Sequence, residues 1–363
     1  MTNIRSSQVA VPLAAIEELH QKLALSIFPD ETDGSDWKRG VPVEDIKRIT
    51  KYWHDKFSWA SFEERLNKLP HFEATISIEG FDPFQLHFIH QKSANPDAIP
   101  LLFIHGWPGS FLEATKILPM LTDYQTDKPS FHVIVPSLPN FGFSSKITKP
   151  GFGLRQYSEA CHQLMLGLGY QQYASQGGDL VGTTITTSIG ALYPQSLRAL
   201  HLNLVVATPP SLSKPLAFVR FLVTHLLNLY TPQERSGLRA VQEYKENGNG
   251  YFQVQKTRPN TIGILLADSP AGLLAWIYEK LVMWSDKYQW TDQEVCEWGF
   301  SYFPREMFST PRMWNRQVGD VVYEREHEQG GHFAAWEQPE VLVDDIRTMF
   351  DLKGPAYRAF HST

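Results

Sequence analysis

Asp179 is the residue whose setting most plainly invites chemistry. It stands in Ser175-Gln176-Gly177-Gly178-Asp179-Leu180-Val181-Gly182, between a strand-like run and an apolar segment, Leu180 to Tyr193, long enough for a helix. A strand that turns sharply into a helix throws the apex side chain clear of the backbone, and small neighbours are needed because the two arms nearly touch. Serine is the familiar occupant of such a nucleophile elbow; here the apex is an aspartate. A carboxylate with an ordinary pKa of about 4 is ionised at neutral pH and needs no base to act as a nucleophile. It can attack an sp3 carbon, such as that of an epoxide or alkyl halide, and leave an ester on the protein. A base must then activate water to hydrolyse that ester.

Among thirteen histidines, His332 suits that second step best, in Gln329-Gly330-Gly331-His332-Phe333-Ala334-Ala335. The paired glycines let the loop bend so that the ring can reach the elbow. His327 lies amid Glu324, Arg325, Glu326 and Glu328 and reads as a surface residue, while His105 directly follows a core strand and reads as backbone support. The histidine needs an acid to hold its tautomer and stabilise the imidazolium. Glu306 and Asp320 compete for that task nearly evenly on residue physics alone. A turn at His105-Gly106-Trp107-Pro108-Gly109-Ser110-Phe111 can aim the Trp107 N–H at an oxyanion, with the Leu180 N–H as second donor. Opening an epoxide also generates an alkoxide, which a phenol can protonate. Tyr251, in Gly250-Tyr251-Phe252-Gln253, is placed for this, although an isolated tyrosine is more often packing with a satisfied hydroxyl.

The elements around these residues follow an α/β rhythm. Pro100-Leu101-Leu102-Phe103-Ile104 and His132-Val133-Ile134-Val135 are continuous apolar runs, as expected of strands buried on both faces of a parallel sheet. Tyr157 to Leu168 predicts a helix, Tyr173 to Gln176 the strand feeding the elbow, Leu200 to Val206 and Asp320 to Tyr323 further strands, and Glu340 to Phe350 a closing helix. Before the rhythm starts, Ile16, Leu19 and Leu23, then Ile46, Ile49 and Trp53, repeat at helical spacing, and Phe72 to Ile78 and Phe84 to His90 alternate as strands. After Pro209-Pro210 the pattern is helical. Phe218, Phe221, Leu222, His225, Leu226 and Leu229 mark one helical face, Glu246 to Gly250 reads as flexible, and Ser269-Pro270 opens a further helix.

Composition narrows the classes. The 363 residues are 42% hydrophobic and 13% aromatic, enough for a large core. A net charge of −6 with no block of like charges excludes a nucleic-acid footprint, and two cysteines exclude a disulfide framework. No metal-ligand cluster, G-x-G-x-x-G or phosphate loop occurs, so no cofactor and no metal is expected. Without a signal-peptide layout or an apolar window of about 18 residues, a soluble, cytoplasmic protein without a membrane anchor is expected.

Taken together these segments resemble the microsomal-type epoxide hydrolases and their soluble fungal relatives, on the α/β-hydrolase fold. The resemblance spans nearly the whole chain. It runs through Val9-Ala10-Val11-Pro12, Phe28-Pro29-Asp30, Trp37, Gly40-Val41-Pro42 and Tyr52-Trp53, then the Trp107 turn and Gly177-Gly178-Asp179. It continues through Gly250-Tyr251, Thr257-Arg258-Pro259 and Asp268-Ser269-Pro270 to Phe303-Pro304 and the Gly330–Ala335 segment. The fold it implies is α/β, a mostly parallel central sheet with helices on both faces. It divides into an N-terminal meander (1–95), a core (96–206 and 299–363) and an inserted helical cap (207–298).

The resemblance implies Asp179 as nucleophile, His332 as general base, Glu306 as the acid partner in preference to Asp320, and Tyr251 as the first of two epoxide-activating phenols. The substrate would be a small-molecule epoxide and the product a vicinal diol, and a homodimer is compatible with the fungal relatives. One departure stands out. The family carries a long stretch, including its second activating tyrosine, before the Phe-Pro segment; here Trp290 and Tyr302 are twelve positions apart. Tyr288 and Tyr302 are nearby but outside the matching motif. A shortened cap allows two other readings: an epoxide-opening cyclase, or a weakly active binding protein. Haloalkane dehalogenation is a further rival, disfavoured because those enzymes place a tryptophan where Leu180 stands.

Overall fold

The computed structural model describes residues 3–205, 207–298 and 312–360. Among them, one sheet contains β1 (Ile4–Ser6), β2 (His71–Ile76), β3 (Phe84–Gln91), β4 (Ile99–Ile104), β5 (Phe131–Pro136), β6 (Tyr173–Gly177) and β7 (Leu197–Leu202). Its spatial order is β1-β2-β3-β5-β4-β6-β7. The sheet is mixed. The pairs β1–β2, β2–β3 and β3–β5 are antiparallel, whereas β5–β4, β4–β6 and β6–β7 are parallel. The parallel half contains β6, which leads to Asp179, and all five residues of β6 are buried, as a strand covered on both faces requires.

The helices are α1 (Leu13–Ala24), α2 (Val43–Asp55), α3 (Trp59–Leu66), α4 (Leu118–Thr122), α5 (Leu154–Gly167), α6 (Asp179–Leu192) and α7 (Pro215–Leu226). They continue with α8 (Pro232–Glu243), α9 (Gly250–Thr257), α10 (Pro259–Asp268), α11 (Pro270–Trp284) and α12 (Asp292–Trp298). Towards the end come α13 (Arg312–Asn315), α14 (Ala334–Glu337) and α15 (Pro339–Phe350). Side chains alternate across β4 with the period of a pleated strand. Leu101 and Phe103 join Ile49 and Trp53 of α2, Leu274 and Ile277 of α11 and Ile346 of α15 in one apolar cluster. Leu102 and Ile104 join Leu164 of α5 and Ile185 and Ile189 of α6 in the other. The first cluster binds the N-terminal helices to α11, so the chain's opening and its helical insertion share one core.

Ser269 caps α11 as its sequence suggests, its hydroxyl accepting from the Gly272 N–H at 3.0 Å. Three expectations need correction. The strand expected over Leu200 to Val206 spans Leu197–Leu202, residues 203–205 are not strand, and Val206 lies outside the described residues. Asp320 to Tyr323 is not a strand. The segment is tied to α15 by side chains instead: Tyr323 Oη donates to Asp345 Oδ1 at 3.0 Å, and Arg325 pairs with Asp344 at 2.6 Å. Glu246 to Gly250 is not a loose tract either, since Tyr244–Gly248 winds into a π-helical turn that continues α8. Asn247 Nδ2 donates to Glu243 Oε1 at 2.8 Å across that turn.

Candidate active site

Asp179 opens α6 with a φ of +56°. Residues bearing a β-carbon adopt this left-handed backbone only where surrounding contacts impose it. Those contacts are close. A β-carbon at Gly182 would lie 2.5 Å from the Ile104 carbonyl oxygen, and one at Gly106 would lie 2.1 Å from the Asp179 side chain. The arms of the elbow therefore do meet, and the carboxylate fills the space a side chain at 106 would need.

The two oxygens of Asp179 have different surroundings. Oδ1 accepts from the Trp107 N–H at 3.0 Å and from the Val181 N–H at 2.9 Å. Oδ2 lies 3.6 Å from His332 Nε2. Asp179 is only 4% exposed, and burial pushes its carboxyl up to about 6, while the Val181, Trp107 and Leu180 N–H groups pull it back. The expected donors Trp107 and Leu180 are thus both at the carboxylate, and Val181 is an addition. Trp107, a donor that would hold an oxyanion, already holds Oδ1 of the acid. Glu113, following the Trp107 turn, has its carboxyl held well above the usual range by burial and by the Asp179 charge.

His332 is buried, and burial holds its ring well below the ordinary imidazole range, so the neutral form is favoured. Its loop is tethered on several sides. Glu337 of α14 accepts from the N–H groups of Asp286 at 2.8 Å, Phe333 at 3.1 Å and Gly331 at 3.2 Å. Asn203 Nδ2 donates to the His332 carbonyl at 3.3 Å, and Asn203 in turn accepts from Gln176 of β6 at 2.7 Å. His105 takes the supporting role expected of it: Nδ1 meets the Gly106 carbonyl at 3.0 Å, and Nε2 accepts from the Leu138 N–H at 3.1 Å. His327 is bound to Asp345 at 2.6 Å. Asp320 is exposed, and Glu306 and Tyr302 lie outside the described residues.

Tyr251 is buried above the elbow. Its ring stacks on Trp107, with centroids 5.1 Å apart and planes 9° from parallel. Trp107 therefore touches the carboxylate through its backbone and the phenol through its side chain. Lys280 of α11, itself buried and paired with Glu279 at 2.8 Å, places Nζ 4.5 Å from the centre of the Tyr251 ring. Tyr288 is engaged elsewhere: its hydroxyl donates to Glu294 at 2.6 Å and accepts from Lys116 at 3.1 Å.

Sequence reasoning missed Tyr244, whose hydroxyl lies 3.2 Å from that of Tyr251. No local pattern marked it, because the Asn- and Gly-rich tract that follows it reads as a loop. It also missed Glu337 and Lys280, whose importance lies in which distant segments they touch. No group of three or more His, Cys, Asp or Glu residues able to hold a metal occurs among the described residues. No single described helix is long and apolar enough to cross a membrane; α10 and α11 together reach that composition but are bent by 114°.

Residues 4–114 match the family model described as epoxide hydrolase N terminus, and residues 99–260 match the alpha/beta hydrolase fold. The chain is 35% identical to a putative epoxide hydrolase of Stigmatella aurantiaca, over 94% of this chain and 84% of that one. It is 31% identical to epoxide hydrolase 1 of Sus scrofa, over 96% and 89% of the two chains. Among solved structures, the Aspergillus niger epoxide hydrolase superposes with a TM-score of 0.79 at 30% identity, covering 95% of each chain. The fold is that of the α/β hydrolases, and the chain belongs to the epoxide hydrolase family.

Proposed function

We propose that this protein hydrolyses epoxides to vicinal diols through an alkyl ester on Asp179. The observation that carries the reading is the division of labour between the two Asp179 oxygens. Oδ1 is held by the Trp107 and Val181 N–H groups, which leaves Oδ2, on the His332 side, as the attacking atom. Oδ2 forms a bond to an epoxide carbon while the carbon–oxygen bond of the ring breaks. The electron pair moves to the ring oxygen, which takes a proton from Tyr251. His332 then removes a proton from water as the water oxygen adds to the ester carbonyl carbon. The negative charge appears on Oδ1, already facing the backbone donors. Collapse of that intermediate expels the diol oxygen, which takes the proton from His332, and the proton of the regenerated Asp179 acid returns to the phenolate through solvent. Glu306 is assigned the acid that orients His332, on the strength of the family resemblance.

The order of acidities supports this route. With its carboxyl near 6, Asp179 is mostly ionised at neutral pH, and the buried His332 ring is neutral and able to accept a proton. The helices α7 to α11 act as the cap that brings Tyr251 over the elbow. The test is a single turnover of styrene oxide with excess protein in ¹⁸O-water. The first diol should carry its new oxygen from the unlabelled protein; solvent label in that first diol would sink the ester route.

A further inference from the structure

Two phenolic oxygens, those of Tyr244 and Tyr251, meet beside the Trp107 turn that holds Asp179. We infer that Tyr244 is the second epoxide-activating phenol, donating with Tyr251 to the same ring oxygen. This rests on the epoxide-hydrolase reading and deepens it.

Three observations carry the assignment. First, the Tyr244 and Tyr251 oxygens are 3.2 Å apart, longer than the roughly 2.7–2.8 Å at which hydroxyl pairs usually bond. A third oxygen at ordinary bonding distance from both would complete an isosceles triangle on that 3.2 Å base, within reach of both donors. Second, Trp107 fixes Tyr251 against the turn that holds the carboxylate, and Tyr244 bonds to Tyr251 there, near enough to Asp179 for its charge to act on both phenols. Third, Tyr244 heads the π-helical turn Tyr244–Gly248, a local rewinding that commonly re-aims side chains at functional sites. A β-carbon at Gly248 would come within 3.1 Å of the Tyr244 ring, so the turn closes tightly against it. Burial raises both phenols above the ordinary range, so both are protonated and able to donate at neutral pH.

In ring opening one phenol transfers its proton to the leaving oxygen, and the other stabilises the resulting phenolate and alkoxide by hydrogen bonding. No proton beyond that one is consumed. After ester hydrolysis the phenolate is reprotonated as described above.

The test separates the two half-reactions of the full chain with styrene oxide, following ester formation by rapid quench and intact mass. Tyr244→Phe and Tyr251→Phe should each slow ester formation about 10- to 100-fold, leave ester hydrolysis unchanged, and together slow it further. Ester formation by Tyr244→Phe at the unaltered rate overturns the proposal, as does a loss produced by Tyr302→Phe in its place. Equal slowing of both half-reactions, with a lowered Tm, would mean a packing role and overturns it too. Failure of the unaltered protein to form any ester is a different result, and removes the hydrolase reading with the inference that rests on it.

Discussion

Asp179 and Tyr251 are held by different kinds of contact, although Trp107 touches both. The carboxylate is fixed by main chain: N–H groups on Oδ1, and a strand and helix so close that two glycines are required. The phenol is fixed by side chains, stacked on Trp107 and set beside Lys280 and Tyr244. Main-chain support is indifferent to most substitutions, whereas a site assembled from side chains can be rebuilt by changing a few residues. The inferred pairing of Tyr244 with Tyr251 would be a rebuilding of that kind.

The contrast can be broken hardest at the carboxylate. Asp179→Asn keeps the shape, removes the charge, and should abolish ester formation, a loss of about 10⁴-fold or more. Stability should move the other way. Because burial lifts the carboxyl from 3.8 to about 6, the folded state binds more protons than the unfolded between those values. Its stability therefore falls as pH rises from about 4 to 6. Above pH 6 the variant should be more stable by about 3 kcal/mol, and below pH 4 the two should unfold alike. Denaturation at pH 7.5 and pH 3.5 measures the difference, and kcat/KM of the unaltered protein should decline as pH falls through about 6.

A smaller effect is expected where the histidine loop is tied down. Glu337→Gln replaces an acceptor of three backbone N–H groups with an amide that offers one acceptor oxygen. It should cost about 1–3 kcal/mol of stability and slow ester hydrolysis more than ester formation, so that the alkyl protein accumulates during turnover. Equal slowing of the two steps would show that the loop serves the nucleophile as well.

The smallest effect belongs to the outer face of the insertion. None of the α7 residues is buried, and Leu226 is 77% exposed. Leu226→Gln should leave kcat unchanged and alter stability by less than about 0.5 kcal/mol. A marked drop in Tm would mean that this stripe is covered in solution.

What could be read from the chain follows the same division. Asp179, His332, Trp107 and Tyr251 sit in short glycine-bearing segments whose local geometry dictates what they can do, and β4, β5 and β6 announce themselves by continuous apolar runs. Val321 and Val322 look like a strand by the same criterion, but a strand needs an edge to pair with, and that segment is taken up by Asp344 and Asp345 of α15. Tyr244 lies beside a tract rich in Asn and Gly that reads as a loop, yet the backbone winds there into a π-helical turn spanned by the Asn247 to Glu243 bond. Glu337 and Lys280 matter through partners that no local pattern names. The three-residue β1 is too short to leave a periodic signal, and β1 to β3 supply the antiparallel half of the sheet.

The unequal oxygens of Asp179 give the carboxylate a history. By the ester route, each cycle hands Oδ2 to a diol and installs an oxygen from water in its place, while Oδ1 stays bound to the Trp107 and Val181 N–H groups. One oxygen is a consumable, renewed at every turnover. The other is the atom installed at translation, and it is retained for as long as the backbone grips it against rotation.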